Sequence, residues 1–142
     1  MFVFEIPLIP VPQKQTRFGR GHAYDPSKKD KETIQWHIKY EHKAELLKCP
    51  IKMELLFYLP IPKSASKIRL RQMVNQVILP ISKPDVDNLA YLVTNALKGI
   101  VYADDAQIVD LILHKRYSEF PATVIKVIPI INHEQAFGDE CD

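Results

Sequence analysis

The chain has 142 residues, of which 46% are hydrophobic and 25% charged, and its formal net charge is +2. This length fits one domain rather than two, and the hydrophobic content excludes a disordered chain. The apolar runs are far too short to span a bilayer, so we expect no membrane partner. Two cysteines without CxxC spacing, Cys49 and Cys141, exclude a zinc ribbon and favour a cytoplasmic location.

The first part of the chain predicts a strand, a basic loop, a helix and a second strand. In chain order these are Phe2–Ile9, Gln13–Lys29, Lys31–Lys48 and Ile51–Leu59. The two strands end at prolines, and the loop contains glycine and proline without apolar periodicity. Within the helix, Trp36 and Tyr40 recur at helical spacing together with Ile34 and Ile38 on a neighbouring face. We expect Trp36 and Tyr40 to be anchors in the core rather than platforms for stacking bases.

The second part predicts two helices followed by a β-hairpin. A short basic helix or loop covers Ser64–Val77, and an amphipathic helix runs from Val86 to a stop at Gly99. Ile108–Arg116 and Ala122–Ile131 have the pattern of two strands joined by a short turn. We expect a domain over residues 1–132 and a polar tail over residues 133–142.

Positive charge is concentrated in two segments, although the net charge is small. Residues 14–31 contain six basic and two acidic residues, and residues 63–83 contain five basic residues and no acid. Such segments are typical of a surface that binds a polyanion, although a solvated face with uneven charge has the same pattern. The candidate phosphate contacts in these segments are Lys14, Arg17, Arg20, Lys67, Arg69 and Arg71.

Four aspartates form the most informative pattern. Asp85 and Asp87 lie at the start of the amphipathic helix, and Asp104 and Asp105 directly precede a strand. If the helix folds back and the two pairs converge, their carboxylates need a hard cation such as Mg²⁺ or Mn²⁺ to offset their repulsion. A metal ion at a basic surface suits phosphodiester hydrolysis, in which it activates water. The alternative is that the first pair caps the helix and the second pair forms a turn.

Two motifs resemble the signature of the RusA-like Holliday-junction resolvase (crossover junction endodeoxyribonuclease) family. They are Lys83-Pro84-Asp85-Val86-Asp87-Asn88-Leu89 and, after Ala96-Leu97, Asp104-Asp105-Ala106-Gln107-Ile108. The similarity covers most of the chain, because Ile9-Pro10-Val11-Pro12, Tyr24-Asp25-Pro26 and Lys115 also look like members of this family.

The resemblance implies an α+β fold, a single compact domain in which helices pack on a mixed β-sheet. It further implies a two-fold homodimer, bacterial or phage-encoded, that cleaves four-way DNA junctions in recombination and repair. By this resemblance Asp85, Asp87 and Asp105 match the catalytic carboxylates that bind Mg²⁺, with Mn²⁺ as a possible substitute, and Asp104 is a neighbouring metal ligand. Lys83 and Lys115 join the candidate DNA contacts.

The chain departs from the family pattern at two positions of the helix. Tyr91 stands where family members usually carry a lysine, and Asn95 stands where they usually carry an aspartate. A tyrosine donates one hydrogen bond but has no positive charge at neutral pH. This leaves open an alternative, a relative that binds junction DNA with weak or no cleavage. A structural Ca²⁺ or Mg²⁺ site in a protein unrelated to DNA is a third hypothesis, which the basic segments disfavour.

Overall fold

The computed structural model describes residues 1–131, so the predicted tail over residues 133–142 and the domain boundary at residue 132 lie outside the described residues. The chain folds as α+β, with a four-stranded mixed sheet packed by helices. The expected fold class is therefore confirmed. The elements are β1 (Phe2–Ile6), β2 (Arg17–Gly19), β3 (His22–Tyr24), α1 (Lys28–Glu41), β4 (Ile51–Pro60), α2 (Lys67–Val74), α3 (Val86–Leu97), β5 (Ile108–Ser118) and β6 (Ala122–Pro129).

The central strand of the sheet is β4, which is hydrogen-bonded on both sides. The strand order is β1-β6-β4-β5, with β4 and β5 parallel and the other pairs antiparallel. Alternate β4 residues are buried because side chains along a strand point to opposite faces. Its inward residues, among them Met53, Leu55 and Phe57, pack against α1 and α3 in a single hydrophobic core.

The predicted hairpin between the last two strands is wrong. Both strands form, but β4 lies between β5 and β6, so these strands do not pair with each other. Periodicity and a short turn identify strands but not their partners, and here the chain crosses over β4 between the two. The parallel pairing of β4 with β5 makes α2 and α3 the crossover between them, which places α3 against the sheet.

The expected packing of the first long helix is also wrong. Helix α1 buries Ile34 and Ile38, whereas Trp36 and Tyr40 are 66% and 74% exposed and stack on each other. Two apolar stripes run along this helix, and the aliphatic one faces the core. The helix also ends at Glu41 rather than Lys48, and the predicted loop before it contains the small β2–β3 hairpin.

Helix α3 forms as expected, with one face buried against the sheet and α1. Its buried residues include Leu89, Val93, Ala96 and Leu97, which are the apolar positions of the predicted stripe. Gly99, with φ of +81°, lies just beyond its end in a left-handed conformation that glycine adopts without steric cost. Among the described residues, none of the helices is long and apolar enough to cross a membrane.

Candidate active site at the start of the third helix

A short loop before α3 is held in place by a lysine from the sheet. The Lys115 ammonium, on β5, donates hydrogen bonds to the backbone carbonyls of Ser82 (2.8 Å) and Pro84 (3.0 Å). Two hydrogen bonds from a charged donor restrain this loop strongly. Lys115, which the family resemblance suggested as a DNA contact, therefore has a positioning role in this structure: it fixes the residues that lead into the aspartates.

The two aspartates at the start of α3 keep their carboxylates free of the helix. Asp85 occupies the N-cap position, yet its side chain makes no capping hydrogen bond, and one of its oxygens lies 2.8 Å from the Lys83 ammonium. Asp87 is exposed in the first turn. The pKa of Lys83 is raised above its usual value mainly by the hydrogen bond to Asp85, and the charge of Asp87 adds to the effect. The Asp85 side chain therefore does not cap the helix, contrary to the alternative interpretation of the sequence.

Open cavities flank this acidic helix start. One, of about 450 Å³, is lined by Gln13, Lys14, Gln15, Thr16, Asp25, Lys31, Asn88 and Tyr91. A second, of about 400 Å³, is lined by Pro10, Pro12, Gln13, Lys83, Pro84, Asp85 and Asn88. Asn88 and Gln13 border both cavities, and the backbone amide of Gln13 donates to the Asn88 carbonyl at 3.0 Å. The residue that replaces the family lysine, Tyr91, is 55% exposed at the first cavity, one turn beyond Asp87.

The second aspartate pair lies at the other end of α3. Asp104 and Gln107 form a capping box: an Asp104 oxygen accepts from the Ala106 amide at 3.3 Å, and the Gln107 side chain accepts from the Asp104 amide at 2.8 Å. The pKa of Asp104 is lowered, chiefly by a hydrogen bond with the Asp105 carboxyl group and then by the Ala106 amide and the nearby Lys98 ammonium. The alternative interpretation, in which the second aspartate pair forms a turn, therefore describes the local structure at Asp104.

The predicted convergence of the two pairs does not occur within one chain. Helix α3 has 12 residues and therefore spans roughly 18 Å, with Asp85 at its start and Asp104 and Asp105 beyond its end. Over residues 1–131 no three histidine, cysteine, aspartate or glutamate side chains are grouped closely enough to hold a metal ion. The spacing in the sequence allowed convergence, but the length of α3 separates the two pairs.

Asp85 and Asp87 nevertheless suit a Mg²⁺ ion as a two-residue site. Mg²⁺ commonly binds one or two protein carboxylates and keeps several waters or substrate phosphates in its remaining positions. The Lys83 ammonium lies 2.8 Å from an Asp85 oxygen, and the negative charges of Asp85 and Asp87 both raise the pKa of Lys83. Neither carboxylate is needed to cap the helix, so both are available as ligands.

The remaining predicted DNA contacts lie on three separate elements. Lys14 lines the larger cavity, Arg17 and Arg20 lie on the exposed β2–β3 hairpin, and α2 carries the rest. The α2 cations, all exposed, are Lys67, Arg69 and Arg71. Exposed cations that are free of ion pairs within the described residues suit contact with phosphate.

Comparison with known proteins identifies the family. The family model described as "Endodeoxyribonuclease RusA" matches residues 7–128, which is most of the chain. The chain belongs to the RusA endodeoxyribonuclease family. A curated relative from Bacillus subtilis (strain 168), "Uncharacterized protein YqaN", is 34% identical over 121 residues, covering 82% of this chain and 84% of the relative. RusA-family membership points to Holliday-junction nuclease activity and argues against a structural metal site unrelated to DNA.

The structure also brings into the site two residues that were not among the predicted DNA contacts. Lys31 and Gln13 line the larger cavity beside Tyr91, although Lys31 belongs to α1 and Gln13 follows the proline-rich segment after β1. The backbone hydrogen bond between Gln13 and Asn88 joins that segment to α3. No local motif marks such positions, because their contact depends on how distant segments pack.

Proposed function

We propose that this RusA-family protein is a Mg²⁺-dependent endonuclease that hydrolyses phosphodiester bonds at four-way DNA junctions, with Mn²⁺ as a substitute. The supporting observation is the acidic start of α3. Asp85 makes no capping hydrogen bond and lines an open cavity together with Lys83. Asp87 is exposed and directly precedes Asn88, which borders both cavities. The family match adds the substrate class.

In this proposal Asp85 and Asp87 are the ligands that hold the cation against a DNA strand. When bound, Mg²⁺ supplies positive charge that offsets the charge developing on the phosphoryl oxygens. Lys83 lies 2.8 Å from Asp85 and offsets part of the negative charge of the site, and it is exposed enough to turn toward a phosphate instead. Lys115 keeps the Ser82–Pro84 loop fixed, so that the carboxylates are presented in one position.

We further propose that the protein acts as a two-fold homodimer formed along β5. This 11-residue strand lies at the edge of the sheet, and in residues 1–131 its outer edge has no strand partner. It exposes Val109, Leu111 and Ile112, and a long apolar edge strand favours pairing with another strand. Its first half is acidic at Asp110, and its second half is basic at Arg116, so an antiparallel second copy meets complementary charge.

This dimer also gives Asp105 its proposed catalytic role. Asp105 adjoins the start of β5, whereas Lys115, near the end of β5, holds the loop that carries Asp85. Antiparallel pairing lays the start of one β5 beside the end of the other, so the second copy's Asp105 approaches the Asp85 and Asp87 of the first. Two equivalent sites related by a two-fold axis match the symmetry of a four-way junction.

A cleavage assay tests the proposal. A labelled four-way junction is incubated with protein and Mg²⁺, Mn²⁺ or EDTA, with a linear duplex of the same sequence as the control. Junction products with either metal, absent in EDTA, support the proposal. A lack of products with both metals contradicts it.

The family lysine is tested in the same assay with Tyr91→Lys. Restoring a cation one turn from Asp87 is expected to raise the cleavage rate, by up to roughly 100-fold if no other group supplies that charge. If the wild type binds the junction without cutting and Tyr91→Lys cuts, the chain is the non-cleaving relative that the tyrosine suggests.

The dimer is tested by light scattering after size-exclusion chromatography. Ile112→Lys puts a charge at the middle of the β5 edge and is expected to give a monomer. Val3→Lys is the matched control, because Val3 is a half-exposed residue on β1 at the opposite edge of the sheet. A monomeric wild type, or a dimer that survives Ile112→Lys and is lost in Val3→Lys, contradicts the β5 interface.

A further inference from the structure

The larger cavity beside Tyr91 is a built polar site rather than an accidental gap between side chains. Three segments form its wall: the 13–16 segment, the 25–31 segment with the start of α1, and one face of α3. Hydrogen bonds join all three. The Gln13 amide donates to the Asn88 carbonyl, and the Lys14 amide donates to the hydroxyl of the fully buried Ser27 at 2.8 Å.

Asp25 is the centre of this wall. Its carboxylate lies 2.6 Å from the Lys31 ammonium, accepts from the Ser27 amide at 2.9 Å and accepts from the Gln13 side-chain amide at 3.1 Å. Three donors on one carboxylate fix its orientation and, through it, the position of Lys31. The Lys31 side chain is 23% exposed, so its ammonium is oriented by packing as well as by its ion pair.

This oriented ammonium keeps capacity for a ligand. A lysine ammonium has three donors, and Asp25 is its one partner among the described residues, so two donors remain. Lys14 also lines the cavity, which gives two lysines against one aspartate. The Tyr91 hydroxyl and the Asn88 amide add neutral donors on the α3 side. A cavity with surplus positive charge and convergent donors suits a phosphate group.

The other lysines near the aspartate pairs do not line the cavity that Tyr91 lines. Lys83 pairs with Asp85, Lys98 lies 3.5 Å from Asp104, and Lys115 binds two backbone carbonyls. Family members carry a lysine on α3 where this chain has Tyr91. Lys31 of α1 is best placed to supply that positive charge, because it lines the same cavity as Tyr91.

We propose that this cavity binds a phosphate of the DNA strand next to the Asp85–Asp87 site, with Lys31 supplying the positive charge that Tyr91 lacks and the Tyr91 hydroxyl acting as a second donor. This inference rests on the proposed function and adds to it a strand-positioning site formed by α1 and α3. Lys31 is a positioning residue in this proposal, since it binds a phosphate beside the one that reacts.

Binding of a fluorescent four-way junction, measured by anisotropy in EDTA over a range of salt concentrations, tests the proposal. Lys31→Gln is expected to weaken binding about tenfold, the amount expected for one hydrogen-bonded charge. It should also make the slope of log K against log [salt] shallower by about 0.7–0.9, since one phosphate contact is lost. Lys31→Arg keeps the charge and is expected to retain the wild-type slope.

The matched control is Lys29→Gln, which removes the same charge from an exposed position of α1 outside the cavity wall. It is expected to bind the junction within about threefold of the wild type, with an unchanged slope. Tyr91→Phe removes the hydroxyl without touching the Asp25–Lys31 ion pair, and should weaken binding severalfold. It provides a test that does not depend on Lys31→Gln folding normally, which thermal melting checks.

The outcomes separate the two proposals. A wild type that binds and cuts the junction, together with equal salt slopes for Lys31→Gln and Lys29→Gln and no effect of Tyr91→Phe, overturns the phosphate site and leaves the nuclease intact. A wild type that binds no junction DNA at any salt concentration overturns both.

Discussion

The two ends of α3 carry the same type of residue and use it differently. At the start, Asp85 makes no capping hydrogen bond and lines an open cavity next to a loop held by Lys115, and Asp87 is exposed. Beyond the end, Asp104 is tied into a capping box with Gln107, whose side-chain amide also donates to the Leu47 and Cys49 carbonyls. The Asp85 side chain is thus available for chemistry, whereas the same type of side chain at Asp104 is part of the scaffold.

The difference follows from what each pair must stabilise. The residues after α3 turn sharply into β5, and their backbone groups need partners that Asp104 and Gln107 supply. The loop before α3 is held by hydrogen bonds from Lys115 to the Ser82 and Pro84 carbonyls, and the Asp85 side chain makes no capping hydrogen bond to the helix. A carboxylate that does no structural work is the better candidate for binding a cation. The following substitutions test this contrast.

The largest effect on activity is expected at the start of α3, where Asp85 and Asp87 lie. Asp87→Asn removes a proposed metal ligand and should lower junction cleavage by at least about 1000-fold, because the charge that holds the cation is lost. Junction binding in EDTA should stay within about twofold of the wild type. Glu41→Gln, at the exposed end of α1, makes the same carboxylate-to-amide change away from the site and the β5 edge, and should cut normally. Cleavage by Asp87→Asn within tenfold of the wild type would show that this carboxylate is not catalytic.

The next largest effect is on stability and is expected beyond the end of α3, where Asp104 and Gln107 form the capping box. Gln107→Ala leaves the Leu47 and Cys49 carbonyls without this donor and should lower the free energy of unfolding by about 2 kcal/mol. Urea denaturation measures it. Gln76→Ala is the comparison, since Gln76 makes one exposed hydrogen bond to the Tyr117 carbonyl and its loss should cost less than about 0.5 kcal/mol. Equal losses in the two variants would contradict a scaffold role for this end.

A smaller effect separates capping from metal binding at Asp104. Asp104→Ala should lower the melting temperature by roughly 2–5 °C, whereas Asp104→Asn should stay close to the wild type because asparagine caps nearly as well. Scanning calorimetry measures both. If Asp104→Asn melts normally but loses cleavage, the carboxylate charge matters and the contrast between the two ends is weaker than we infer.

The smallest effect is expected for the two exposed ion pairs. Lys83→Gln and Lys98→Gln should each change the melting temperature by less than about 2 °C, since exposed pairs contribute little to stability. Of these two variants, only Lys83→Gln, near the start of α3, is expected to weaken junction binding. The expected loss of affinity is a fewfold in low salt. Equal weakening by Lys98→Gln would place DNA contacts at both ends of α3.

Local patterns in the sequence predicted the helix that carries the site but not its surroundings. The stripe from Val86 to Leu97 identified α3 because a single apolar face allows one packing. Helix α1 has two apolar stripes, so Trp36 and Tyr40 were assigned to the core although Ile34 and Ile38 occupy it. The separation of the aspartate pairs and the position of Lys31 beside Tyr91 depend on how α1 and α3 pack, which no spacing along the chain reveals.

The sheet order has a consequence for synthesis of the protein. Strand β6 lies between β1 and β4, although β1 is the first strand and β6 the last. A nascent polypeptide on the ribosome cannot complete this sheet until residues 122–129 have emerged, by which time α3 and both aspartate pairs are already outside the exit tunnel. The sheet on which α3 packs is therefore completed only after both aspartate pairs have been synthesised.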